Sequence, residues 1–127
     1  MVEGAPRSKN CRKILIVEDD DDIRTTLQDI LEDEGYPTAA AANGQDALDQ
    51  LQCIDRPPCL ILLDLMMPVM SGREFLSVLR GDDMLAPIPV VVVSAWAAEA
   101  RGTPGVQGFI RKPVDLSLLF DVVRRYC

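Results

Sequence analysis

Leu60-Ile61-Leu62-Leu63-Asp64-Leu65-Met66-Met67-Pro68 is the stretch on which the reading of the fold turns. Four aliphatic residues run straight into one aspartate. Pro68 follows, and Ser71-Gly72 close the loop. An unbroken apolar run preceded by Pro57-Pro58 reads as a parallel strand buried on both faces. Asp64 then stands where the strand leaves the core, and in open α/β sheets ligands bind outside the carboxyl ends of the strands. A solvated aspartate that merely ends a strand is the competing reading, and the neighbouring segments decide between the two.

Working outward, the same grammar recurs. Lys13–Val17 is apolar and β-branched, and it runs into Glu18-Asp19-Asp20-Asp21-Asp22. Consecutive acids repel one another. A helix N-terminus relieves Asp20 to Asp22, through capping and the positive end of the macrodipole. Glu18 and Asp19 are left at the strand's end, where two carboxylates facing a third suit a hard divalent cation. The plainer alternative is a solvated charge run. The helix extends from Asp21 to about Glu34, with Ile23, Leu27, Ile30 and Leu31 on one face and Gly35 as its stop.

Pro37–Ala42 is read as a short strand. Alanine favours helix, but the segment lies between a helix stop and the Asn43-Gly44 turn. Gln45–Gln52 is helical, Asp55–Pro58 a loop, and Cys59–Leu63 the strand that carries Asp64. Gly72–Arg80 is helical with Phe75, Leu76 and Leu79 on one side, and Gly81–Pro89 is a proline-marked loop. Pro89–Val93 is a β-branched strand ending in Ser94. Ala95–Gln107 reads poorly: Ala97–Arg101 is barely more than one turn before Gly102-Thr103-Pro104-Gly105 breaks it. Gly108–Arg111 is a strand ending at Lys112-Pro113. Asp115 caps a helix over Leu116–Tyr126, with Leu119, Val122, Val123 and Tyr126 inward. This alternation gives an α/β fold, a parallel sheet with helices on both faces.

Composition narrows the function classes. The 127 residues fit one domain, read as a flexible tail over residues 1–10 and a single domain over 11–127. A net charge of −7 argues against a broad basic face for nucleic acid. No apolar run is long enough to span a bilayer, and Met1–Asn10 has no signal-peptide core. Without histidine and without Cys-x-x-Cys spacing, zinc is disfavoured. Of the four cysteines, Cys11, Cys53, Cys59 and Cys127, Cys59 opens a buried strand and Cys11 lies just ahead of another, and these two are expected to be reduced thiols of a cytoplasmic protein.

Four strands end in complementary groups: Glu18 and Asp19, Asp64, Ser94, and Lys112. A doubly wound sheet brings these tips to one edge. Glu18, Asp19 and Asp64 are expected to hold Mg²⁺, or Mn²⁺ in its place. Asp64 is then the covalent acceptor, Lys112 supplies a point charge to phosphoryl oxygens, and Ser94 a hydrogen bond. This is phosphoryl transfer, governed by positioning and electrostatics.

The set Ile-Val-Glu18-Asp19-Asp20, Leu-Leu-Asp64-Leu-Met-Met-Pro68 with Gly72, Val-Val-Ser94-Ala95 and Lys112-Pro113 resembles the receiver domain of two-component response regulators. The resemblance runs from about Arg12 to Tyr126. It implies a flavodoxin-like, doubly wound, five-stranded parallel sheet of order 2-1-3-4-5. It implies phosphoryl transfer to Asp64 from a histidine kinase or phosphotransfer protein, with the metal on Glu18, Asp19, Asp64 and the Met66 backbone carbonyl. It further implies a cis peptide before Pro113, a switch in which Ser94 and Phe109 move together, and an unidentified downstream protein partner. Neither nucleic acid nor membrane is expected as a direct partner.

Two features depart from the family pattern. Glu18 stands where aspartate is more usual, and the segment between Ser94 and Lys112 is short, which implies a shortened or irregular fourth helix. Trp96 falls at the cleft rim, where with Met66 it would shield a phosphoryl group from water; a surface aromatic docking a partner is the alternative. Two other functions compete with this reading. A pseudo-receiver would only bind proteins. An aspartate-nucleophile phosphatase usually has a second carboxylate two residues after the nucleophile, where this chain has Met66. A P-loop enzyme is excluded by its missing glycine-lysine pattern.

Overall fold

A computed structural model describes residues 12–53, 56–65, 67, 70–95 and 105–127. Among these residues the chain forms β1 (Ile14–Val17), α1 (Asp21–Asp33), β2 (Thr38–Ala41), α2 (Gly44–Cys53), β3 (Leu60–Leu63), α3 (Gly72–Arg80), β4 (Val90–Ser94), β5 (Gly108–Arg111) and α4 (Leu116–Tyr126). The expected tail over residues 1–10, the helical turn expected at Ala97–Arg101, Met66 and Trp96 all lie outside the described residues.

The strands form one sheet in the order β2-β1-β3-β4-β5, and every neighbouring pair is parallel. This is the flavodoxin-like, doubly wound arrangement. β1, β3 and β4 are buried along their whole length, which is why they read as aliphatic runs rather than as alternating strands. Successive side chains still point to opposite faces. Leu15, Val17, Ile61, Leu63, Val90 and Val92 pack with Leu48 and Leu51 of α2 and Phe75, Leu76 and Leu79 of α3. Ile14, Ile16, Leu60, Leu62, Val91, Val93 and Ile110 pack on the other face with Leu27 and Leu31 of α1 and Leu119 and Val123 of α4.

The ends of the elements follow from local chemistry. Asp20 caps α1, its carboxylate accepting from the Ile23 N–H at 3.0 Å. At the other end Gly35 takes the left-handed conformation (φ 92°), and Tyr36 N–H donates back to the Leu31 carbonyl at 3.0 Å. Ser71 and Glu74 form a reciprocal capping box at the start of α3. The alanine-rich segment is a strand because it pairs with β1 from Ile14↔Thr38 to Val17↔Ala41; tertiary pairing overrides alanine's helix preference.

The expectation of a reduced thiol is corrected for Cys59; Cys11 lies outside the described residues. Cys59 and Cys127 form a disulfide, with Cα atoms 5.5 Å apart. The pairing arises because α4 runs back along the sheet and delivers its last residue to the start of β3, within bridging distance. The partners lie 68 residues apart, so no local spacing announces them. Cys53 is a free, exposed thiol.

Adjacent residues of α4 show how strongly packing is partitioned. Leu119 is fully buried, whereas Leu118 is half exposed. Leu119→Ala should cost about 2–5 kcal/mol of unfolding free energy. Leu118→Ala should stay within about 0.5 kcal/mol of the parent in the same urea titration.

Candidate functional site at the carboxyl edge

Parallel pairing continues one residue past three strands and so fixes the backbone of the site. Glu18 N–H donates to the Ala41 carbonyl at 3.0 Å, Asp64 N–H to that of Val17 at 3.0 Å, and Lys112 N–H to that of Ser94 at 2.9 Å. Glu18, Asp64, Ser94 and Lys112 therefore stand on one edge of the sheet, Asp19 beside them. Glu18, Asp64 and Ser94 are buried, each at 5% exposure or less, while Asp19 is exposed.

Lys112 organises this edge. Its Nζ lies 2.8 Å from Glu18 Oε1 and 3.4 Å from Asp64 Oδ2. Glu18 Oε2 also accepts from the Asp20 N–H at 3.2 Å. Sequence reasoning assigned Lys112 to phosphoryl oxygens and Glu18 to a metal; in the structure the two side chains pair with each other.

One carboxylate oxygen from each of Glu18, Asp19 and Asp64 fits within a span of 4.8 Å. Three carboxylates against one ammonium leave net negative charge at a largely buried edge, a donor set of hard oxygens suited to Mg²⁺. Burial pushes the Glu18 carboxyl up to about 7; the Lys112 hydrogen bond opposes this and the Asp64 charge adds to it. Burial alone would lower the Lys112 ammonium, but Glu18 and Asp64 outweigh it, and its pKa rises.

Two residues position this edge: Arg24, which the sequence does not single out, and Gly72, which it marks only as a loop and family position. Arg24, in the first turns of α1, donates from Nη1 to the Glu18 carbonyl at 2.8 Å and also pairs with Asp21. It ties the acidic loop to the helix. Gly72 packs directly beneath the exit of β3, where an added Cβ would lie 2.7 Å from the Asp64 carbonyl and 2.6 Å from Leu65 Cα. Only glycine allows α3 to start so close to the strand that carries Asp64. The Lys112–Pro113 peptide is cis. Phe109 on β5 is 39% exposed, so its ring is not a plain core aromatic.

The model of the response regulator receiver domain family matches residues 14–124. The chain belongs to this family. It is a receiver domain of two-component signal transduction. The polar-differentiation response regulator DivK of Brucella anthropi is 33% identical over 119 residues, covering 91% of this chain and 95% of that protein. Among solved structures, the receiver domain of a signal transduction histidine kinase from Syntrophus aciditrophicus is 33% identical with a TM-score of 0.81, covering 91% of this chain and 89% of that one. The chemotaxis protein CheY4 of Vibrio cholerae is 28% identical with a TM-score of 0.80, covering 91% of this chain and 98% of that one. Receiver domains as a family bind Mg²⁺ at an acidic cluster, and the Glu18, Asp19 and Asp64 oxygens suit such an ion.

The raised pKa of Glu18 gives this receiver domain a signed pH dependence. Its unfolded-state value is 4.5 and its folded value about 7. The folded state therefore holds the proton more tightly, and the associated stability is present below pH 4.5 and lost as pH rises through about 7. In urea titrations without metal, the parent should lose about 3 kcal/mol relative to Glu18→Gln across this window. Added Mg²⁺ should offset that loss in the parent.

Proposed function

We propose that Asp64 is the phosphoacceptor of this receiver domain and that phosphorylation there requires Mg²⁺. The observation that carries the reading is the convergence of Glu18, Asp19 and Asp64 with Lys112 at one sheet edge, Asp64 buried within reach of the ammonium. Glu18, Asp19 and Asp64 would hold the ion; the Met66 carbonyl, expected as a further ligand, lies outside the described residues. The bound ion supplies charge neutralisation among the carboxylates and to the incoming phosphoryl oxygens.

In this mechanism an Asp64 carboxylate oxygen attacks the phosphorus of a phosphohistidine on a histidine kinase or phosphotransfer protein. The new O–P bond forms as the N–P bond breaks, and the departing imidazole takes up a proton. Lys112 turns from the carboxylates toward the transferred group as negative charge gathers there. Ser94 closes on the phosphoryl oxygens with its hydroxyl, and Phe109 responds on the neighbouring strand, paired in register with Val92. The chain thereby acts as a signalling module that promotes its own modification and switches a surface read by a downstream protein. Residues 11–127 form the functional domain. We place it in the cytoplasm, where phosphorylated kinases are charged from nucleotide; no helix among the described residues is long and apolar enough to cross a membrane.

The test is intact mass after incubation with Mg²⁺ and acetyl phosphate, beside Asp64→Asn. The parent should gain one phosphoryl group only when metal is present, and the variant none. Absence of both the adduct and metal binding in the parent would leave a pseudo-receiver that works only as a protein-interaction module.

A further inference from the structure

The Cys59–Cys127 bridge lies at the opposite end of the sheet from the acidic edge. It fastens the end of α4 to the start of β3. A reducing compartment keeps ordinary thiols open, and disulfides that do form there are usually transient, catalytic or redox-sensing. The placement of the two sulfurs fits a bridge that opens. Cys127 is only half-buried, which makes it the more open of the two cysteines to a dissolved thiolate. Cys59 is buried, with its sulfur 3.7 Å from the Lys13 carbonyl oxygen. A bridged sulfur has no hydrogen to give, whereas a reduced Cys59 thiol finds an acceptor already in place. The helix does not rely on the bridge alone, because Leu119 and Val123 are fully buried against the sheet.

We propose that Cys59 and Cys127 form a reversible redox switch, in which a dithiol reductant opens the bridge and frees the last turn of α4 while the fold persists. The proposal rests on the cytoplasmic placement above, and it is independent of the acceptor role of Asp64. The reductant's thiolate attacks the Cys127 sulfur. The S–S bond breaks, its electron pair leaves on Cys59, and that sulfur takes a proton. The reductant's second thiol displaces Cys127 from the mixed disulfide, so the reductant ends as a disulfide and the protein as two thiols.

The test equilibrates the full chain in dithiothreitol and glutathione buffers of graded poise. Alkylation traps the thiols, intact mass counts them, and amide hydrogen exchange is compared in the two end states. Exposed Cys53 labels throughout and serves as the internal reference, and digestion before mass measurement assigns each label so that Cys11 is counted apart. The bridge should open in reducing buffer with an unchanged circular dichroism spectrum. Amides in the last turns of α4 should then exchange about tenfold faster, with β1 and β3 unaltered. Cys127→Ser should show the fast exchange in every buffer. The proposal is overturned by a bridge that resists reduction until denaturant is added, by equal α4 exchange in both states, or by cysteines that stay unpaired in oxidising buffer. Failure of Asp64 to accept a phosphoryl group would leave all these readouts unchanged.

Discussion

The Lys112 ammonium, 2.8 Å from Glu18 and 3.4 Å from Asp64, is the interaction on which the acidic edge depends. Buried carboxylates of like charge raise one another's free energy, and burial raises it again by removing water. One cation among them relieves part of that strain and leaves the remainder for a metal. The site is thus held in a state that favours an added positive charge. Taking away one partner of a buried pair would strand the other, which is why the lysine and the acids have to be understood as a set.

The sheet makes this arrangement possible. Parallel pairing places the ends of β1, β3, β4 and β5 in step, and backbone hydrogen bonds beyond the strands hold Glu18, Asp64 and Lys112 in register. Arg24 secures the acidic loop from the side of α1, while Gly72 lets α3 begin almost in contact with the Asp64 backbone. Aliphatic packing on both faces makes the strands stiff, and the polar groups at their tips inherit that stiffness. Positioning of this kind is most of what phosphoryl transfer asks of a protein.

Much of this was legible in the sequence, for a physical reason. Strands buried on both faces must be aliphatic throughout, so Leu60–Leu63 and Val90–Val93 announce themselves, and the first polar residue after each marks the edge where ligands bind. Other features depend on tertiary proximity and leave no local trace. Nothing near Cys59 points to Cys127. Nothing in Glu18 or Lys112 alone says that they pair with each other, because that depends on side-chain reach across the strand tips. Arg24 looks like any helix-surface arginine until its guanidinium is placed on the Glu18 carbonyl. Gly72 looks like a loop glycine until the closeness of Leu65 is known.

The central claim is that Glu18 and Asp64 are crowded and buried around Lys112, poised for a cation. Carboxyl-carbon NMR of the metal-free chain, titrated with acid and assigned by Glu18→Gln, tests it directly. The account requires Glu18 to titrate at about 7. It also requires that value to fall once Mg²⁺ is added, since the ion favours the carboxylate. A Glu18 that titrates as an ordinary exposed glutamate, unmoved by Mg²⁺, would contradict it.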